Sequence, residues 1–142
     1  MSKGKVLIIE DEIDLLDLID FNLTRREFVT ACALDGKDGM DKIGSFDPDI
    51  IILDLMLPGV DGWEICAEIK RMKKEIPVIM LTAKSMPDDR VRGFEAGAAD
   101  YVTKPFSMKD LVTRIDMLLE KKERGRGWGC PDFSGKQALT EV

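Results

Sequence analysis

Ile50-Ile51-Ile52-Leu53-Asp54 decides the fold. Four consecutive apolar residues, three of them β-branched, leave no in-out alternation and are too few for a helix. Such a run reads as a parallel strand buried on both faces. Working outward, similar short runs lie at 6–9, 29–33, 78–81 and 101–103, and the stretches between them have helical spacing. Leu16, Ile19 and Leu23 mark the first stretch, and Ile65, Ile69 and Met72 the third. Val91 and Phe94 mark the fourth, and Leu111, Ile115, Leu118 and Leu119 the fifth. The second, at about 36–45, is weakened by Gly39 and Gly44. Asp61-Gly62 and Pro87-Asp88 mark the entries to the third and fourth stretches, and Ser107 with Asp110 forms a capping pair for the fifth. Five strands alternating with five helices predict an α/β, flavodoxin-like, doubly wound (βα)5 fold. Its five-stranded parallel sheet would have the order 2-1-3-4-5.

The chain has 142 residues, 44% apolar and 34% charged, a globular composition at the length of one domain. With 21 basic and 27 acidic residues the net charge is −6. That sign disfavours attraction to a nucleic-acid backbone. There is no histidine, which removes a Ser-His-Asp triad, an imidazole metal site and a phosphohistidine on this chain. Cys32, Cys66 and Cys130 are widely spaced, suggesting neither a zinc knuckle nor a disulfide framework. Lys3 and Lys5 precede too few apolar residues for a signal peptide or a membrane span, so a cytoplasmic protein is expected. Met72, Met80 and Met117 read as core filler and Trp63 as helix packing, while Asp14, Asp17 and Asp20 read as a solvated face.

In an open parallel sheet, ligands gather beyond the carboxyl ends of the strands. The first strand ends there in Glu10-Asp11, the third in Asp54, the fourth in Thr82-Ala83 and the fifth in Lys104-Pro105. Taken singly, Asp11 would be a cap or turn acid, Thr82 a capping hydroxyl and Lys104 a surface lysine. Taken together they are different. The order 2-1-3-4-5 brings Asp11 and Asp54 side by side, and like charges that close need a shared cation. A hard divalent ion such as Mg2+, held by a few carboxylates with water completing its shell, is the simplest relief. The ion then invites a phosphate. Lys104 and Thr82 can meet the oxygens of an incoming phosphoryl group, which makes Asp54 a plausible nucleophile.

Four stretches resemble the receiver domains of two-component response regulators, across about residues 5–122. They are Val-Leu-Ile-Ile-Glu-Asp-Glu (6–12), Asp-Leu-Met-Leu-Pro-Gly-Val-Asp-Gly (54–62), Pro-Val-Ile-Met-Leu-Thr-Ala (77–83) and Gly-Ala-Ala-Asp-Tyr-Val-Thr-Lys-Pro-Phe (97–106). All four in this order are highly specific. The resemblance implies that Asp54 accepts a phosphoryl group from the phosphohistidine of a sensor histidine kinase or phosphotransfer protein. It implies that Asp11 binds Mg2+ directly, Glu10 through water, and Met56 through its backbone carbonyl. Thr82 and Tyr101 resemble the switch pair, and Lys104 would contact the phosphate, with a cis bond to Pro105. The implied protein is a phosphorylation-activated regulator with only self-phosphotransfer and slow autodephosphorylation. Its output face would be the fourth helix, fifth strand and fifth helix, about residues 87–122, where a weak phosphorylation-dependent homodimer could form.

This sequence departs from many family members that carry a DNA-binding partner domain. Ala99 stands before Asp100 where those members have a second acid. Residues 1–123 are expected to form the receiver and 124–142 a Gly-rich tail or linker remnant, with no output domain. An alternative is a haloacid-dehalogenase-like phosphohydrolase, which wants an acid two residues after its nucleophile; Met56 stands there. A flavin carrier of the same fold would need a phosphate loop where Glu10-Asp11-Glu12 lies.

Overall fold

A computed structural model describes residues 2–72, 75–83 and 97–128. The elements run β1 (Lys5–Ile9), α1 (Ile13–Arg25), β2 (Val29–Ala33), α2 (Gly36–Phe46) and β3 (Ile50–Asp54). Then follow α3 (Gly62–Met72), β4 (Val78–Ala83), β5 (Asp100–Lys104) and α4 (Met108–Trp128), the fifth helical stretch of the sequence. All pairings are parallel, in the order β2-β1-β3-β4-β5. The predicted architecture and strand order are therefore observed. The fourth helical stretch, with Pro87, Asp88, Val91 and Phe94, lies outside the described residues.

Alternate residues of each strand serve opposite cores. Leu7, Ile9, Ile51, Leu53, Val78 and Met80 meet Ile43 of α2 and Trp63, Cys66 and Ile69 of α3. On the other face Val6, Ile8, Ile50, Ile52, Ile79 and Leu81 meet Leu16, Ile19 and Leu23 of α1 and Leu111 and Ile115 of α4. The four apolar residues of β3 are fully buried. Each such burial contributes about 1.5–3 kcal/mol, enough for the strand to carry one costly carboxylate at its end.

Local chemistry sets the helix ends. Asp35 caps α2 by accepting from the Asp38 N–H at 2.8 Å, and the Ser107 hydroxyl accepts from the Asp110 N–H at 2.9 Å, as its capping pattern predicts. Asp61 caps α3 through the Trp63 N–H at 2.9 Å. Helix α4 runs five residues past the expected boundary at Glu123. Once a helix is nucleated each added residue needs only one further bond. Three smaller expectations need correction. Met80 is core, but Met72 and Met117 are exposed. Asp20 is not merely solvated: its Oδ1 accepts from the Thr30 hydroxyl at 2.5 Å and ties α1 to β2.

Candidate functional site

The carboxyl edge of β1 and β3 places Glu10, Asp11 and Asp54 together, one ligand oxygen from each lying within 4.8 Å of the others. Glu10 and Asp54 are buried and Asp11 is exposed. The Asp54 carboxylate is fixed by its own loop, since Oδ1 accepts the Met56 N–H at 3.0 Å. That loop turns sharply at Pro58-Gly59, where Gly59 has φ +75°, a conformation that a side chain disfavours. Lys104, at the end of β5, reaches back so that its ammonium lies 3.3 Å from Glu10 Oε1 and 3.5 Å from Asp54 Oδ1.

One cation is short measure for three carboxylates. Burial pushes the Glu10 carboxyl up to about 7; the Glu12 N–H opposes this, the Asp54 charge adds to it, and Lys104 opposes it. Glu10 Oε2 accepts that N–H at 3.1 Å, whereas among the described residues the buried Oε1 has only the Lys104 ammonium, 3.3 Å away and without good hydrogen-bond geometry. Burial alone would lower the Lys104 ammonium, but the charges of Asp54 and Glu10 prevail and hold it above its ordinary value. A buried, under-satisfied Glu10 oxygen, two further carboxylates and an exposed approach through Asp11 fit a hard, partly hydrated divalent cation.

The remaining predicted positions fall around this cluster. Thr82, the last residue but one of β4, is buried, and its hydroxyl makes a long 3.3 Å bond to the Ala83 carbonyl. Tyr101 lies on the neighbouring strand, opposite Met80 and two residues before the Thr103 that faces Thr82. Its ring packs on the α2–α3 side of the sheet and its hydroxyl is buried. Met56 projects its side chain outward, 61% exposed. The Lys104-Pro105 bond is cis, as expected from the resemblance.

A family model described as the response regulator receiver domain matches residues 6–116. The chain belongs to that family. Among solved structures, the BeF3-activated DrrB receiver domain is 35% identical, with a TM-score of 0.77 over 84% of this chain and 99% of that one. The receiver domain of NtrX from Brucella abortus is 30% identical, with a TM-score of 0.77 over 81% of this chain and 98% of that one. A CheY-like receiver domain protein from Methanospirillum hungatei JF-1 is 25% identical, with a TM-score of 0.83 over 87% and 98% of the two chains. Against a longer NtrX chain, also from Brucella abortus, the receiver spans 29% of that length. As a receiver the protein is a component of two-component signalling. None of its described helices is long and apolar enough to cross a membrane.

Two features of the receiver were missed by sequence reasoning. Lys104 bridges Glu10 as well as Asp54, a contact invisible until the strand order is threaded in space. Arg114 binds Asp100 and Asp110 of its own chain, whereas the family resemblance implies an Asp100–Arg114 pair between subunits; the i,i+4 spacing of Asp110 and Arg114 could have signalled half of the internal arrangement.

Proposed function

We propose that this receiver is the phosphoacceptor of a two-component relay, with Asp54 taking a phosphoryl group from the phosphohistidine of a sensor kinase or phosphotransfer protein. One observation carries the reading: the buried Asp54 carboxylate sits between a free-edged acid cluster and the Lys104 ammonium 3.5 Å away. An Asp54 oxygen bonds to phosphorus as the phosphorus–nitrogen bond to the donor imidazole breaks, and the imidazole leaves with the electron pair. Asp11 and Asp54, the Met56 carbonyl and, through water, Glu10 would hold Mg2+, which would supply charge neutralisation at the phosphoryl oxygens. Lys104 contributes a further positive charge there.

The chain's own groups then carry the signal. The hydroxyl of Thr82 loses little by leaving its long bond to Ala83, and the Tyr101 ring turns into the space it vacates. The changed surface is the β5–α4 face with the preceding helical stretch, and it serves a weak homodimer; cytoplasmic location follows from the same reading. Incubation with Mg2+ and acetyl phosphate should add one phosphoryl mass, mapped to Asp54, and none in Asp54→Asn. Labelling that persists in that variant, or in EDTA, would refute the assignment.

Slow loss of the phosphoryl group is read from the two side chains that flank the approach of water, that of Lys84, which lies outside the described residues, and that of Met56. Two residues beyond the acceptor, its thioether cannot orient an attacking water through a strong hydrogen bond. Met56→Asn should shorten the half-life of the phosphorylated protein, followed by mass spectrometry. An unchanged or longer half-life would contradict this account of the residue.

A further inference from the structure

Outside the acid cluster, the most fully engaged charge in the described part of the receiver is Arg114, in the second turn of α4. Its Nη1 donates to both oxygens of Asp100 at 2.8 Å, and its Nε donates to both oxygens of Asp110 at 3.2 Å. Asp110 is one turn back on the same helix, so that arm is a local pair worth a few tenths of a kcal/mol. Asp100 is different. It opens β5, 14 residues away in sequence, and its Oδ1 also accepts the main-chain N–H of Tyr101 at 2.8 Å. The Asp110 N–H in turn donates to the Ser107 hydroxyl that caps α4. A continuous polar chain therefore runs from the cap of α4 through Asp110, Arg114 and Asp100 to the backbone of Tyr101.

An exposed ion pair usually contributes little. Here both Arg114 and Asp100 are about two-thirds buried, Nη1 meets both carboxylate oxygens in a charge-assisted contact, and that contact joins two elements. We propose that Arg114 is a positioning residue for Tyr101: by holding Asp100 it fixes the tyrosine main chain against α4, so that the ring moves by rotation about a fixed Cα. The rotation itself belongs to the functional reading above; the fixing of the backbone does not depend on it. Arg is suited to the task because one planar group reaches two carboxylates, which a point ammonium does not.

The chain has a single tyrosine, so 3-fluorotyrosine gives one fluorine NMR resonance, from Tyr101. In the unmodified sequence that resonance should move on adding Mg2+ and beryllofluoride. In Arg114→Gln and in Asp100→Asn the displacement should fall by about half or more. In the free protein, amide exchange at Tyr101 should quicken by about tenfold, the effect of one lost charge-assisted contact. Arg114→Lys should restore neither quantity, and Asp110→Asn should change neither. Mg2+ affinity should be the same in all of them, because Arg114 is not in the acid cluster. Unaltered exchange and displacement in Arg114→Gln and Asp100→Asn would overturn the proposal. Full rescue by Arg114→Lys would overturn it too, by reducing the role to charge alone, and so would an equal loss in Asp110→Asn, by placing the effect in α4 itself. If the resonance of the unmodified chain ignores beryllofluoride, the switch reading of Tyr101 fails, and the exchange rate alone decides whether Arg114 positions it.

Discussion

The two ends of the parallel sheet handle charge in opposite ways. At the amino end, lysine ammoniums close off backbone carbonyls. Lys5 Nζ reaches the Phe46 carbonyl at the end of α2 at 2.9 Å, Lys70 Nζ the Ile76 carbonyl ahead of β4 at 2.5 Å, and Lys122 Nζ the Asp49 carbonyl ahead of β3 at 3.1 Å. Asp49 Oδ2 accepts the Lys5 N–H at 2.9 Å, so acids at this end also have donors within the chain. At the carboxyl end, three carboxylates gather, two of them sharing the Lys104 ammonium, and among the described residues the buried Glu10 Oε1 has only that ammonium, 3.3 Å away and without good hydrogen-bond geometry. Internally balanced polar groups hold a fold together, whereas imbalance that the fold tolerates marks where something from outside completes the site.

Glu10 tests that contrast most severely. Its carboxyl titrates near 7 in the fold against 4.5 for the ordinary group, so between those values the folded chain holds the extra proton. Stability without Mg2+ should therefore fall as pH rises through this window, and the loss should be complete above about 7. Mg2+ binding expels the proton, so apparent affinity should climb with pH over the same range and then level. Glu10→Gln should flatten both profiles and weaken Mg2+ binding by about 10–100-fold, the usual effect of losing a group that orients the primary ligands. Urea unfolding at several pH values, with and without Mg2+, measures the first profile and calorimetric titration the second. Pronounced pH dependence that survives in Glu10→Gln would assign the imbalance to another group.

A mid-sized effect is expected beside that site, at Gly39. Read from sequence, Gly39 and Gly44 only weaken a helix, and on propensity alone alanine at Gly39 should stabilise by about 1 kcal/mol. The structure gives Gly39 a different meaning. A Cβ there would lie 2.5 Å from Ile9 Cδ1 and 2.9 Å from Ile9 Cγ1, so the glycine lets α2 settle directly on β1. Gly44 has open space around it, and for it the propensity argument stands. Gly39→Ala should destabilise by about 1–3 kcal/mol through overpacking. Because Ile9 adjoins Glu10, it should also disturb Mg2+ binding, while Gly44→Ala should stabilise slightly and leave binding alone. Chemical denaturation of both variants checks this, and stabilisation in both would show that Ile9 simply yields.

These positions also show what could be read in advance. The strand runs at 6–9 and 50–53 are hydrophobic on both faces, so their place in the sheet follows from composition alone, and the acids that end them follow from parallel topology. Gly39 against Ile9, Lys104 against Glu10 and Arg114 against Asp100 are contacts across 30, 94 and 14 positions, respectively. No periodicity encodes such contacts; they exist only after the elements have packed. The start of α2 at Gly36 was legible in advance, and so was an Asp35 cap from its residue type before that start, while Gly39 and Gly44 weakened only the helix behind it.

The smallest expected effect lies at the amino end, where Lys122→Met removes the ammonium that serves the Asp49 carbonyl but keeps an apolar stem of similar length. That carbonyl is part-buried, so water recovers some of the lost bond, and the cost should be about 1 kcal/mol. Thermal unfolding at neutral pH measures it. The more telling quantity is Mg2+ affinity, which should not change: the bond secures the entry to β3, while Asp54 ends that strand after four fully buried apolar residues that fix its position. An interior of crystal-like packing transmits a displacement only when a neighbouring side chain is forced to move, and losing one ammonium at the periphery forces none. A fall in Mg2+ affinity matching the fall in stability would mean instead that the two ends of β3 are rigidly coupled, and the division between a structural and a functional edge would fail at its central strand.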